Sequence, residues 1–291
     1  MSKPSTVPPV IVDCRWLADR LGRPDVAVAD CRFELSDPGA GRRAYEQGHI
    51  PGAVFFDLET DLSGPIRRPG PRHPLPDPDA FVAKLEQAGI GSGVTVVCYD
   101  DQQGMNAARL WWMLRWLGHD GVCVLDGGFT AWREAGLPVT VEAPAPARRR
   151  FVPRLRHDMA VSMDDVRRMV AEGRGVLVDA RAPERYRGDV EPIDPVAGHI
   201  PGARNVPWGG NFDPSGRWRS PEELARRFAE LAGRDDVVMY CGSGVSACVN
   251  VLAMAHAGFS KLPRLYPGSW SEWCADPANP VARGVDAREA G

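Results

Sequence analysis

Cys241 sits in Val-Val-Met-Tyr-Cys-Gly-Ser-Gly-Val-Ser-Ala (237–247), where an apolar strand-like run stops at a thiol and a short glycine-rich loop leads into a helical pattern. Such a junction favours a thiolate, because the N–H groups of a tight loop and of a first helical turn point inward and, with the helix dipole, stabilise an anion at the loop centre. The thiolate is the nucleophilic form of cysteine. A buried cysteine that merely fills space is the commoner case. Here two glycines lie within three residues of the thiol, and glycine lets backbone amides approach a bound group closely.

Three chemistries use a loop of this kind: sulfur transfer, phosphate-ester hydrolysis and redox sensing. A Cys-x5-Arg phosphatase needs an arginine to clamp phosphate above the thiolate. The sixth residue after Cys241 is Ala247, and the residue before it is Tyr240. Cys248, seven residues on, reads as two turns inside the helix and facing the core, so an inert thiol is expected there in place of a resolving partner. A nonenzymatic carrier or sensor of sulfane sulfur on Cys241 stays open.

The elements that must position this thiol are written twice. Gly-His-Ile-Pro-Gly-Ala occurs at 48–53 and again at 198–203, each copy preceded by a strand ending in Asp-Cys-Arg (30–32) or Asp-Ala-Arg (179–181). Val-Val-Cys-Tyr-Asp (96–100) answers Val-Val-Met-Tyr-Cys (237–241), and Leu-Asp-Gly-Gly-Phe-Thr-Ala-Trp (125–132) answers Tyr-Pro-Gly-Ser-Trp-Ser-Glu-Trp (266–273). A repeat of this size defines the architecture. Two homologous domains are expected, 8–144 and 156–285, joined by an extended tether over 142–154 whose prolines and charges prevent a regular element. Short β-branched runs alternate with amphipathic helices, which predicts an α/β fold with a parallel sheet covered on both faces in each domain. In the second copy, strands are expected at 175–179, 236–240 and 264–266. Helices are expected from the Ser220-Pro-Glu-Glu223 capping box and over 246–257. In the first, 105–119 is a long helix whose stripe Trp111, Trp112 and Trp116 reads as core or domain interface. Asp100 stands where the second copy has Cys241, and Cys98 is a packing residue on the strand. Chemistry is therefore expected in the second domain, with the first supplying one wall of a cleft.

Composition narrows the classes. The 291 residues are 44% hydrophobic and 25% charged, with net charge −3 and a pI near 6.1. No global basic field therefore recruits nucleic acid or an anionic membrane. Arg148-Arg149-Arg150 reads as solvated linker. No run reaches transmembrane length and the N-terminus lacks a signal-peptide core, so a cytoplasmic protein is expected. Seven cysteines without a C-x-x-C pair and six histidines without ligand spacing argue against disulfides and against a metal site. No cofactor is expected.

The duplicated Gly-His-Ile-Pro-Gly-Ala, the Asp-Ala-Arg strand end and the Cys-Gly-Ser-Gly-Val-Ser loop resemble the tandem-domain rhodanese sulfurtransferases over nearly the whole chain. Within that family the loop is similar to the Cys-Gly-Ser/Thr-Gly-Val-Thr pattern of 3-mercaptopyruvate sulfurtransferases, with Ser246 in place of the last threonine. Thiosulfate sulfurtransferases of the family carry a cationic Cys-Arg-Lys loop, whereas this one is neutral. The resemblance implies two rhodanese-like domains, with a first domain that lacks the catalytic cysteine. It further implies attack of Cys241 on 3-mercaptopyruvate, release of pyruvate, and passage of the persulfide sulfur to thioredoxin, a small thiol or cyanide; thiosulfate is the alternative donor. Gly242, Gly244, Val245 and Ser246 are the implied donor-binding loop, and Ser243 the loop hydroxyl. Arg185 is the implied grip on the donor carboxylate, and Glu59 with His73 the implied first-domain proton relay. The family's second carboxylate-binding arginine falls at Asp194, leaving Arg187, Arg204 or Arg109 as replacements. His49 and His199 occur in both copies and are expected to be structural, bonded to the loop after each strand. A monomer is expected.

Overall fold

The computed structural model describes residues 7–285; most of the segment on which the leader expectation rests, 1–6, lies outside the described residues. Two units build the chain. The first comprises residues up to Leu62, Pro76–Arg156 and Gly216–Trp218, and the second Ser63–Leu75, His157–Ser215 and the chain from Arg219 onward. The units therefore depart from contiguous domains at 8–144 and 156–285, because 63–75 packs with the second unit and 216–218 with the first.

The first unit runs β1 (Ile11–Val12), α1 (Cys14–Ala18), β2 (Val26–Asp30), α2 (Ala40–Gln47), β3 (Ala53–Phe55), α3 (Pro78–Gln87), β4 (Thr95–Tyr99), α4 (Met105–Trp116), β5 (Val122–Leu125) and α5 (Gly128–Glu134). Its sheet is parallel throughout, in the order β1-β5-β4-β2-β3. β4 is buried from Val96 to Tyr99, as a parallel strand covered on both faces must be. α4 ends three residues before His119, where Gly118 takes φ +80° and its Cβ position would lie 2.6 Å from the Arg154 carbonyl. Trp111, Trp112 and Trp116 are buried, the last two stacked at 6.0 Å.

The second unit runs α6 (Met163–Glu172), β6 (Val176–Asp179), α7 (Pro183–Arg187), β7 (Arg204–Asn205), α8 (Pro221–Arg227), β8 (Val237–Tyr240), α9 (Ala247–His256), β9 (Arg264–Leu265) and α10 (Ser269–Trp273). Its sheet order is β7-β6-β8-β9, again parallel, and a parallel bridge from Ala160 to Leu265 takes the place of β1. Ser220 and Glu223 form the capping box at α8, satisfying two amides that the first helical turn would leave free. The link between units is extended but is not a free tether: Glu86 accepts from Arg148 and from the Phe151 N–H, and Arg154 N–H donates to Leu117 O at 2.8 Å.

The duplicated motif has a physical reason, repeated contact for contact within each unit. Arg32 pairs with Asp30 and donates to Gly48 O at 2.7 Å; Arg181 pairs with Asp179 and donates to Gly198 O at 2.6 Å. His49 stacks on Tyr45 and bonds its carbonyl at 2.8 Å, as His199 does with Tyr186 at 2.7 Å. The Ile50 and Ile200 amides reach the hydroxyls of Tyr99 and Tyr240, and Tyr45 and Tyr186 donate to Ala53 O and Ala203 O. Each histidine thus bonds a tyrosine carbonyl in the helix before its motif, a different role from the expected bond to the loop after the strand. Every buried polar group in this frame finds a partner, which makes the frame stabilising and uniquely specified.

Candidate active site

β8 delivers Cys241 to the carboxyl end of the second sheet, where open α/β folds bind ligands. The thiol is 1% exposed, and its Sγ accepts the Gly244 N–H at 3.1 Å. Gly244 makes that turn possible. Its φ is +74°, and a Cβ there would run into the Pro267 carbonyl oxygen, so only a residue without a side chain fits. The loop is fastened from behind by α10, whose Trp270 and Ser271 amides donate to Cys241 O at 2.9 Å and Gly242 O at 2.8 Å. Ser269 holds φ +53°, a conformation costly for a residue with a side chain. Its hydroxyl compensates by accepting the Cys241 N–H at 3.1 Å and donating to Tyr266 O at 2.8 Å.

Ser243 Oγ and His73 Nδ1 are 2.7 Å apart and both side chains are buried, so a hydroxyl and an imidazole meet two residues from the thiol. His73 comes from the 63–75 segment of the second unit. Val245 is buried, and Ser246 stands at the N-cap of α9 without a side-chain cap bond. Cys248 is the second residue of α9, within its first turn and not two turns inside; its thiol donates to Gly244 O at 3.4 Å and so supports the loop.

Two arginine side chains cover Gly242. A Cβ at that position would lie 3.0 Å from Arg72 Nη2 and 3.7 Å from Arg185 Nη1. Both guanidiniums are engaged by carboxylates: Arg185 bonds Glu191 at 2.6 Å and Asp194 at 3.2 Å, and Arg72 bonds Asp194 at 2.5 Å. Glu191 also meets Arg181 at 3.2 Å. Burial opposes the charged form of Glu191, but Arg185 and the backbone amides of Asp194 and Ile193 outweigh it and hold the carboxyl below its usual range, the expected result when several donors face one carboxylate.

The residues proposed from sequence fall in both units. Cys241, Gly242, Ser243, Gly244, Val245, Ser246, Arg185 and His73 belong to one cluster of the second unit. Glu59 belongs to the first unit, where it is exposed and its amide closes a turn onto Asp57 at 2.9 Å. Of the three replacement arginines, Arg187 pairs with Asp189 and Arg204 with Glu230, while Arg109 belongs to the first unit, where it is buried and donates to Leu62 O. The second cation is Arg72, beside His73 in Arg-Pro-Gly-Pro-Arg-His-Pro. Ser269 was also legible, as the one side chain where the first copy has Gly128, itself at φ +58°.

A buried thiol at a strand end, a backbone amide donating to it, a hydroxyl–imidazole pair and two arginines beside the loop are the groups that covalent chemistry on a cysteine would use. The model of the rhodanese-like domain matches residues 13–135 and 162–276. A Pseudomonas aeruginosa protein named as a probable 3-mercaptopyruvate sulfurtransferase is 49% identical over 94% of this chain and 98% of its own length. A Mycobacterium tuberculosis protein provisionally named thiosulfate sulfurtransferase SseB is 42% identical over 95% of this chain and 98% of its own. The crystal structure of SseA from Escherichia coli, described as a 3-mercaptopyruvate sulfotransferase, superposes with a TM-score of 0.77 at 32% identity, over 90% of this chain and 99% of that one. The chain belongs to the tandem-domain rhodanese family of sulfurtransferases. Among the described residues no helix is long and apolar enough to cross a membrane.

Proposed function

We propose that this protein transfers sulfane sulfur from 3-mercaptopyruvate, through a persulfide on Cys241, to a thiol acceptor such as reduced thioredoxin or a small thiol, or to cyanide, acting as a monomer. The observation that carries the reading is the Cys241 Sγ receiving the Gly244 amide at 3.1 Å beneath a neutral Gly-Ser-Gly loop, with Arg185 beside it. The Cys241 thiolate attacks the donor sulfur. The carbon–sulfur bond breaks, its electron pair remaining on carbon as the enolate of pyruvate, while the donor proton stays on the new persulfide. A proton delivered to the enolate carbon completes pyruvate. His73 with Ser243, 2.7 Å apart, is the pair suited to handle it. The persulfide ionises, and the amides of the loop, of which Gly244 N–H already donates to Sγ, stabilise its terminal charge. Attack of an acceptor thiolate on the outer sulfur then returns Cys241 and releases the acceptor persulfide.

The neutral loop supports mercaptopyruvate over thiosulfate. A dianion gains most from cations placed around the thiol, whereas a monoanion needs one distant grip. At position 242 a Cβ would sit 3.0 Å from Arg72 Nη2, so a side chain there needs the Arg72 guanidinium to move aside. Steady-state kinetics with both donors and one acceptor tests the choice. A higher kcat/KM with mercaptopyruvate is expected; equal or better efficiency with thiosulfate reverses the donor assignment, and a single sulfur loaded without turnover makes the protein a carrier.

A further inference from the structure

We propose that Asp194 is the donor-selectivity residue of this site: its carboxylate holds the seat between Arg72 and Arg185 that the carboxylate of a donor needs, and so penalises anionic donors in proportion to their charge. The inference rests on the sulfur-transfer reading of Cys241 and concerns the far end of the donor, away from the reacting sulfur.

Asp194 is buried, with 3% of its side chain exposed, and its two oxygens go to two different arginines, Oδ1 to Arg72 at 2.5 Å and Oδ2 to Arg185 at 3.2 Å. Those are the two guanidiniums that face Gly242 in the thiol loop. The arrangement is that of a bound carboxylate, supplied by the chain itself. Glu191 is a different case. It is locked from several sides, by Arg181 at 3.2 Å, by Arg185 at 2.6 Å and by the Ile193 and Asp194 amides at 3.1 Å each, as befits a structural anchor. The charged groups facing one another here are Arg72, Arg181 and Arg185 against Asp179, Glu191 and Asp194, so every cation is already matched by an anion. An incoming carboxylate must share Arg72 and Arg185 with Asp194 and leaves the cluster with an unmatched negative charge.

Removing that charge should therefore help anionic donors, and the Coulomb interaction scales with the charge of the donor. A unit charge about 4 Å away shifts binding roughly fivefold even in the water limit, hence roughly 25-fold for a dianion. Asp194→Asn, which keeps the shape and removes the charge, is expected to lower KM by at least about fivefold for mercaptopyruvate and by about 25-fold for thiosulfate, with kcat little changed. A purely structural aspartate predicts the reverse, because loosened arginines would raise KM for both. Asp194→Ser serves if the asparagine variant melts early. Calorimetric titration of pyruvate into Cys241→Ser and into Cys241→Ser with Asp194→Asn reads the same seat without turnover; tighter pyruvate binding in the double variant is expected. An unchanged or raised KM for both donors in a folded variant, or equal factors for mono- and dianion, overturns the proposal while a turning-over wild type leaves the sulfur-transfer reading standing. A wild type inactive with both donors, yet binding pyruvate more tightly once Asp194 is neutral, overturns that reading and keeps the seat.

Discussion

The end of β4 in the first unit carries Asp100, and the end of β8 in the second carries Cys241; the two corners share a path and differ in what fills it. Asp100 is fully buried and its carboxylate accepts four backbone amides, from Gln102, Gly104 and Asn106 at 2.8 Å each and from Ala107 at 2.9 Å. Cys241 accepts one, from Gly244. The carboxylate oxygens of Asp100 lie as many bonds from their Cα as the outer sulfur of a Cys241 persulfide would lie from its own. The strand–loop–helix junction is thus a cradle for an anion at that reach, permanently filled in one copy and served by a thiol in the other. Amides fixed in advance around a charge cost no reorganisation when the charge forms, which is where a preorganised site gains its rate. Without a thiol, the first corner is a structural support.

Substitutions at the two corners can break or sharpen that contrast. Cys241→Ser should lower sulfur-transfer turnover by at least about a thousandfold, since the covalent route is removed while the fold stays; steady-state assay with circular dichroism checks both. Gly244→Ala adds a Cβ that would run into the Pro267 carbonyl oxygen at φ +74°, so the loop must shift and its amide leaves Sγ. Loss of one such donor costs about 10²–10³ in kcat, and a smaller loss would mean that the amide does not serve the thiolate. At the other corner, Asp100→Ala strands four amide donors and should cost about 2–4 kcal/mol of stability by denaturant titration. A neutral result there would remove the analogy between the cradles. Cys248→Ala loses only a weak thiol–carbonyl contact and a small volume, so turnover should stay within about twofold and stability should fall by about 1 kcal/mol. A large loss of turnover would reopen a redox partnership.

How much of this was legible in the sequence follows from which interactions are local. The repeat, the parallel α/β plan and the thiol at a strand end are carried by short motifs, and the capping box at Ser220 is a four-residue signal. His73 enters by resemblance, whereas the Cys-Gly-Ser-Gly loop also announces itself. Arg72 does not, because its importance comes from a segment of the first half of the chain packing into the second unit, a long-range contact that no periodicity encodes. Glu59 enters by resemblance, and the unit boundary falls between it and His73. From sequence Asp194 reads as a missing arginine. With Arg72 and Arg185 on either side of it, the position is an occupied seat.

The central claim is that Cys241 carries the transferred sulfur. Incubation with 3-mercaptopyruvate in the absence of acceptor, followed by peptide mass spectrometry under non-reducing conditions, should find one added sulfur atom on the peptide containing Cys241, lost again on adding thiol. No added sulfur there, or sulfur added at another cysteine of the chain, would contradict the account.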